Sequence, residues 1–287
     1  QKAYKEAGEA YNKAGYDNAS AVLREYCDWS RTFSLVNSEY TYVIGTFNER
    51  FVRNRSKTNA KNNLTPITRF YIDELDERNG GRELRTQLTC ILAATGVGKS
   101  HAARHIGRNA CMDGLNVLHI QLEGSQEEVE NAYSAAWAVC DAYKYERGLL
   151  RDKEIETLTQ KVAAASGRLF VRSYPKFNAH ISTLDIKEAI SEFRRTYNIS
   201  PDVIIIDSMD LLTDASGRKY GENGERHRRI SVANDLKDLA GDENVWMVVT
   251  YQSTIENPDW LNDEKNVLTE YNTAEAKGIA RPLTHLI

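Results

Sequence analysis

Residues 93–100 read Ala93-Ala94-Thr95-Gly96-Val97-Gly98-Lys99-Ser100 and follow directly on the apolar run Leu88-Thr89-Cys90-Ile91-Leu92. A strand that opens into a glycine-containing loop, then a lysine and a hydroxyl residue, has the form of a phosphate-binding loop. Its amides converge on a β-phosphate, the Lys99 ammonium reaches the β and γ oxygens, and the Ser100 hydroxyl holds Mg²⁺ at the start of the next helix. Lys99 and Ser100 have almost no purely structural explanation, because such a turn has little reason to exist without phosphate. One position departs from the strict G-x-x-x-x-G-K-[ST] pattern: Ala93 stands where the first glycine usually sits.

The residues that follow supply the rest of a nucleotide-hydrolysing core, in order. A helix is expected over Ser100 to Asp113, with Gly114 as its stop. Asn116 to Glu123 then reads as a buried strand ending in a carboxylate, and Pro201 to Asp207 as a strand of β-branched residues closing on an aspartate, the form of a Walker B strand. Asn244 to Gln252 is a further apolar strand, ending in a glutamine. Open parallel sheets place ligand chemistry at the C-terminal ends of their strands, where these polar residues fall. Helical segments from Glu127 to Gly167, with Ala132, Ala135, Ala136, Val139 and Cys140 on one face, a short strand Arg168–Arg172 and a helix opening at Thr183 complete the alternation. Strand alternating with helix predicts an α/β fold with a mainly parallel, doubly covered sheet.

The pattern A-x-x-x-G-x-G-K-S, the strand ending Leu122-Glu123, the run Ile204 to Leu212 and the strand ending in Gln252 resemble the RecA-like motor domain of the DnaB-like replicative helicases, particularly their phage relatives. In that family the loop commonly starts with alanine, so Ala93 agrees with the resemblance. The order of loop, Glu, Asp and Gln is also shared by RecA-like recombinases. The likeness runs from about Thr65 to the end of the chain and implies a RecA-like P-loop ATPase core using ATP and Mg²⁺.

Site roles follow residue by residue. The nucleotide cradle spans Ala94, Thr95, Gly96, Val97, Gly98, Lys99, Ser100 and His101, and the metal is held by Ser100 and Asp207. A carboxylate ending so apolar a strand as that of Asp207 is costly unless it meets Mg²⁺ or its water shell. Glu123 would be an ordinary strand-end glutamate by itself; the resemblance makes it the residue that activates the attacking water. Gln252 matches the glutamine that senses the γ-phosphate, against the plainer reading of a strand-end amide. Asp210 approaches the metal or simply begins the next loop, the second being the simpler role. His101 and His105 lie on the helix after the loop, where packing or solvent contact explains them.

The chain of 287 residues, 41% hydrophobic and 27% charged, can bury one large core with an accessory segment. It contains no apolar run of the roughly 20 residues a membrane span needs, and Gln1 to Lys5 lack a signal-peptide character. An intracellular, cytoplasmic protein is expected, with phage-encoded origin in a host cell compatible. Cys27, Cys90, Cys111 and Cys140 form no C-x-x-C pair, so reduced thiols are expected and a zinc site is not. The net charge of -4 argues against coating of duplex DNA by bulk electrostatics, yet a local patch suffices for a threaded single strand.

Three segments are expected. Residues 1–40 show helical periodicity through Tyr4, Tyr11, Val22, Tyr26, Trp29 and Phe33, and are too small for their own core. They should dock on the motor or on a neighbouring subunit, the latter being what the resemblance suggests. Residues 41–64 form a basic linker: between Tyr42 and Arg69, six basic residues face one acid. Residues 65–287 form the motor domain. The family continues with further strands and an arginine finger, whereas this chain stops at Thr284-His285-Leu286-Ile287 and Arg281 does not match that position. The expectation is therefore a motor lacking its C-terminal end.

Two loops are candidates for touching DNA through the resemblance: Thr213 to Gly224, with the adjacent cations Arg218 and Lys219, and Ser253 to Thr273. The implied function is an ATP-dependent replicative helicase motor, hexameric, hydrolysing ATP between subunits while translocating on single-stranded DNA, with primase or a loader protein as partners. A RecA-like recombination or loading ATPase, and a nucleotide-regulated protein-binding module, are the alternatives.

Overall fold

The structure is a computed structural model that describes residues 67–174, 181–215, 224–255, 268–269, 272 and 277–287. The segments expected at 1–40 and 41–64, Arg218 and Lys219, and most of the loop after Ser253 lie outside the described residues.

A short helix α1 (Asp73–Arg78) precedes strand β1 (Leu88–Ala93), helix α2 (Lys99–Met112) and strand β2 (Val117–Gln121). Helices α3 (Gln126–Ala138), α4 (Ala142–Glu146) and α5 (Asp152–Ala164) lead to β3 (Leu169–Ser173) and α6 (Thr183–Tyr197). Strand β4 (Val203–Asp207), a 3₁₀ turn Met209–Leu211, helix α7 (Glu225–Asp242), strand β5 (Trp246–Gln252), a 3₁₀ turn Lys277–Ala280 and strand β6 (His285–Leu286) complete the described order. Among the described residues, six strands make one sheet in the order β3-β2-β4-β5-β1-β6, with every neighbouring pair parallel. The parallel sheet expected from the alternation is thus present, and the final residues do add a strand, β6, beside β1.

Period-two alternation explains how the sheet is covered. Ile204 and Ile206 of β4, with Met247 and Val249 of β5, pack with Ile186 and Ile190 of α6 and Leu236 of α7. Val203 and Ile205, with Trp246 and Val248, pack on the other face with Ala103, Ile106 and Ala110 of α2. Leaving an α2/β sheet contact unfilled would be costly: truncating one buried isoleucine here to alanine costs about 2–5 kcal/mol. Helices α3 and α6 begin with capping boxes, Ser125 with Glu128 and Ser182 with Asp185.

One expected face is corrected. Helix α3 buries Val129, Tyr133, Ala135 and Ala138, not a stripe running to Val139, which is 74% exposed. Val139 is the C-cap in the left-handed conformation (φ 56°), so the chain has left the helical path and its side chain no longer follows the buried stripe. Cys90 and Cys111 are buried and free, and Cys140 is half-buried and free.

Candidate nucleotide site

The polar strand ends meet in register. Ala93 closing β1 stands opposite Gln252 closing β5, and Gln121 closing β2 stands opposite Asp207 closing β4. Backbone bonds carry the alignment beyond the strands: the Ser253 amide donates to the Ala93 carbonyl at 3.0 Å, and the Leu122 amide to the Asp207 carbonyl at 2.7 Å. Glu123 therefore lies just past the end of β2, on a turn tied to the Asp207 strand, and not within the strand itself.

The loop between β1 and α2 is shaped by glycine. Gly98 is the N-cap of α2 with φ 109°, a conformation in which any side chain would be strained. No side chain caps α2 and no acid occupies its first turn, so the amides there are left for an anion. The Lys99 Nζ lies 3.5 Å from the Ala94 carbonyl oxygen, folded back across the loop.

A cavity of about 430 Å³ opens against this loop. Gly96, Gly98, Lys99, Ser100 and His101 form one wall, and Gln121, Glu123, Glu128, Val129 and Ala132 the other, with Arg104 also lining it. Lys99, Ser100 and Glu123 line the same cavity. It does not include Ala94, Thr95 or Val97 in its lining; Ala94 is buried beneath the loop and Val97 is 60% exposed.

Asp207 is not part of the cavity lining; it is buried at the end of β4. Its Oδ1 accepts a 2.6 Å hydrogen bond from the Thr250 hydroxyl, while its Oδ2 is buried with no hydrogen-bond partner among the described residues. A buried carboxylate oxygen lacking a donor is expensive by itself, and the chemistry fits a hydrated divalent cation held jointly with the Ser100 hydroxyl. Among the described residues no cluster of three or more His, Cys, Asp or Glu side chains could by itself hold a metal.

Asp210 lies in the 3₁₀ turn that opens the segment after β4, and its side chain also ties that turn to β5. Its Oδ2 accepts from the Ser208 hydroxyl at 2.8 Å and from the Gln252 backbone amide at 3.0 Å. Burial raises its pKa, and the charges of Arg229 and Lys99 partly oppose that rise. Gln252 thus enters the site region through its backbone as well as its position at the end of β5. On the loop side, Arg228 donates to the Leu212 carbonyl and lies 2.7 Å from Glu225, fastening the segment after Asp207 to the start of α7.

A second layer of polar residues escaped the sequence reading. His119 and Gln121 share the face of β2 that also carries Val117, and both are buried. The His119 Nδ1 lies 2.9 Å from the Tyr133 hydroxyl and its Nε2 lies 3.1 Å from Gln121 Oε1. The Gln121 amide in turn donates to the Glu123 carbonyl. Burial pushes the His119 pKa down to about 4, with the Asp207 charge partly opposing and the Arg104 charge adding to the shift. The available signal was two polar residues at alternate positions of an otherwise apolar buried strand.

A DnaB-like replicative helicase of Enterobacteria phage T4 is 27% identical to this chain over 163 residues, covering 56% of this chain and 34% of that protein. This chain therefore spans about a third of that relative's length. Among solved structures, a DnaB-like replicative helicase described with its interactions with primase matches with a TM-score of 0.67 at 14% identity, covering 99% of this chain and 63% of that one. A solved ATPase domain matches with a TM-score of 0.64 at 17% identity, covering 84% of this chain and 82% of that one. These likenesses establish the fold as that of the RecA-like domains of such helicases. The family described as the DnaB-like helicase C-terminal domain matches residues 68–257, which include the phosphate loop, Glu123, Asp207 and Gln252, and the chain belongs to that family.

Proposed function

We propose that this chain is the ATP-dependent motor of a replicative DNA helicase, hydrolysing ATP to translocate on single-stranded DNA and separate the duplex. The observation that carries the reading is a single cavity lined by Lys99, Ser100 and Glu123. The buried Asp207 Oδ2, which no donor among the described residues reaches, supports a cation at the end of β4.

In this mechanism the α2 amides and Lys99 hold the β- and γ-phosphates and stabilise the charge that develops on them. Glu123 orients the attacking water and accepts its proton. Ser100, and Asp207 directly or through water, would hold a Mg²⁺ ion, which would neutralise phosphate charge when bound. Gln252 reads the γ-phosphate and passes its state toward the DNA-facing loops, and Asp210 couples the backbone of Gln252 to the segment that follows Asp207. Arg218 and Lys219 are the proposed phosphate contacts to single-stranded DNA. The proposed assembly is a hexameric ring with ATP sites shared between subunits, the 1–40 segment docking on a neighbour. A fold relative is described by its interactions with primase, and a primase or loader is the partner class proposed here. An intracellular location follows from that role.

The test is ATP hydrolysis with and without mixed-sequence single strands, together with unwinding of a forked duplex. DNA-stimulated hydrolysis with unwinding is expected. Stimulation without unwinding would assign the chain to a recombination or loading ATPase, and nucleotide binding without hydrolysis to a regulatory module. Replacing Arg218 and Lys219 with alanine should weaken single-strand binding regardless of sequence and flatten its salt dependence, because fewer counterions are released. An unchanged salt slope would remove these two residues from the DNA contact.

A further inference from the structure

The turn that carries Glu123 is held from below by a chain of buried hydrogen bonds that runs through three elements. Its direction is fixed by chemistry. The Gln121 Nε2 group donates to the Glu123 carbonyl, so the Gln121 Oε1 is the end that faces His119. An amide oxygen only accepts, so His119 Nε2 must carry the proton at this 3.1 Å contact. A neutral imidazole with its proton on Nε2 has an accepting Nδ1, and the Tyr133 hydroxyl 2.9 Å away is then the donor. The donors thus point one way, from Tyr133 on α3 through His119 and Gln121 on β2 to the backbone of Glu123.

The surrounding fold makes room for this chain. The Tyr133 ring meets the His119 ring edge to face at 5.6 Å. Helix α2 has glycine where the hydroxyl approaches: a Cβ on Gly107 would lie 2.5 Å from the Tyr133 oxygen. Tyr133 and His119 are both essentially without solvent exposure, so a missing partner anywhere along the chain leaves a buried polar group unsatisfied. Only the last member, Gln121, reaches the wall of the nucleotide cavity.

We infer that Tyr133, His119 and Gln121 are positioning residues that hold the Glu123 turn in place for attack on the γ-phosphate. This inference rests on the reading of Glu123 as the residue that activates water. The chain touches Glu123 at its carbonyl, not its carboxylate, so it acts on where the side chain is presented and not on its protonation. A base placed about 1 Å from its productive position loses on the order of 100-fold in rate while substrate affinity, set on the opposite wall, is retained.

The test uses Tyr133→Phe, which keeps the ring and removes the first donor, and Gln121→Met, which keeps length and removes the last one. For each, steady-state ATPase kinetics are measured beside affinity for a non-hydrolysable ATP analogue, and each is combined with Glu123→Gln. The expected result is a kcat lowered by about 10-fold or more, analogue affinity within about 2-fold of the parent, and no further loss of kcat when either change is added to Glu123→Gln. Losses that multiply in the double variants, or equal losses in affinity and kcat, would show general destabilisation and overturn the inference. Parental kcat in both single variants would overturn it as well. Parental activity of Glu123→Gln alone would instead remove the reading of Glu123, so the two failures are separable. Should Gln121→Met not fold, Tyr133→Phe with its double variant decides the matter.

Discussion

The two walls of the nucleotide cavity do the same job by different physics. The wall from Gly96 to Ser100 is contiguous in sequence and is shaped by backbone: a positive φ at Gly98 and uncapped amides at the start of α2. The wall bearing Glu123 is assembled from side chains of β2 and α3, and its backbone is tied to β4 through the Leu122 amide. The first wall needs only its own few residues to be correct. The second needs the sheet, two helices and every buried donor in place, so it should be far more sensitive to changes remote from the cavity.

The largest effect should come from the first wall. Lys99→Ala removes the ammonium that lies on the phosphate loop itself, and kcat/KM for ATP should fall by about 1000-fold or more with weakened nucleotide binding. The second wall should respond otherwise. Glu123→Gln keeps shape and polarity but cannot accept a proton, so hydrolysis should slow by about 100-fold or more while binding of an ATP analogue is retained. Titration calorimetry beside turnover measurements checks both. If Glu123→Gln lost binding as Lys99→Ala is expected to, the division of labour between the walls would be wrong.

This contrast also explains what could be read from the amino-acid sequence. Glycine at 96 and 98 followed by Lys99 and Ser100 is a local solution to phosphate binding, so the residues announce it before any fold is known. The strands ending in Asp207 and Gln252 were legible because uninterrupted β-branched and apolar runs are found in parallel sheets covered on both faces. The second wall was not legible beyond Glu123. His119 and Tyr133 are 14 residues apart, and Thr250 meets Asp207 across 43 residues. Such pairings exist only once β2, β4 and β5 are in register. The bond from the Gln252 backbone amide to Asp210 was hidden for the same reason, since it joins the segment after β4 to another strand. Val139 was placed on a buried stripe because periodicity cannot reveal where a helix turns into its cap.

Support of Asp207 gives a smaller, stability-based test of the second wall. Thr250→Val keeps the shape of the side chain but takes away the donor to Oδ1, leaving a buried carboxylate with neither oxygen bonded by the described residues. The nucleotide-free protein should lose about 1–3 kcal/mol of stability, read as a lowered denaturation midpoint. Mg²⁺ with an ATP analogue should recover stability, because binding to the folded state alone is stabilising. A midpoint equal to the parent's would show that the Thr250 bond contributes nothing to holding Asp207.

Over the two units from pH 7 to 5 a still gentler change is expected, and it separates the walls most cleanly. His119 is buried and neutral, with its pKa pushed down from the ordinary 6.5 to about 4. Above about 6.5 both folded and unfolded chains carry it unprotonated, and the stability it supports is fully present. As pH falls from 6.5 toward 4 the unfolded chain takes up a proton that the folded chain refuses, so stability declines, by at most ~1.4 kcal/mol per pH unit, and the decline ends below the folded pKa. The Asp207 charge works against this decline and the Arg104 charge works with it. His119→Phe leaves Gln121 without its donor and should be less stable at neutral pH, but it cannot take up the proton. Its stability should therefore approach the parent's as pH drops from 7 to 5, with His285 titrating alike in both proteins and cancelling from the difference. Lys99→Ala, on the opposite wall, should keep the parent's slope. Parallel stability curves for parent and His119→Phe would mean that the buried imidazole is protonated in the fold, and the one-way run of donors to Glu123 would then be broken at Tyr133.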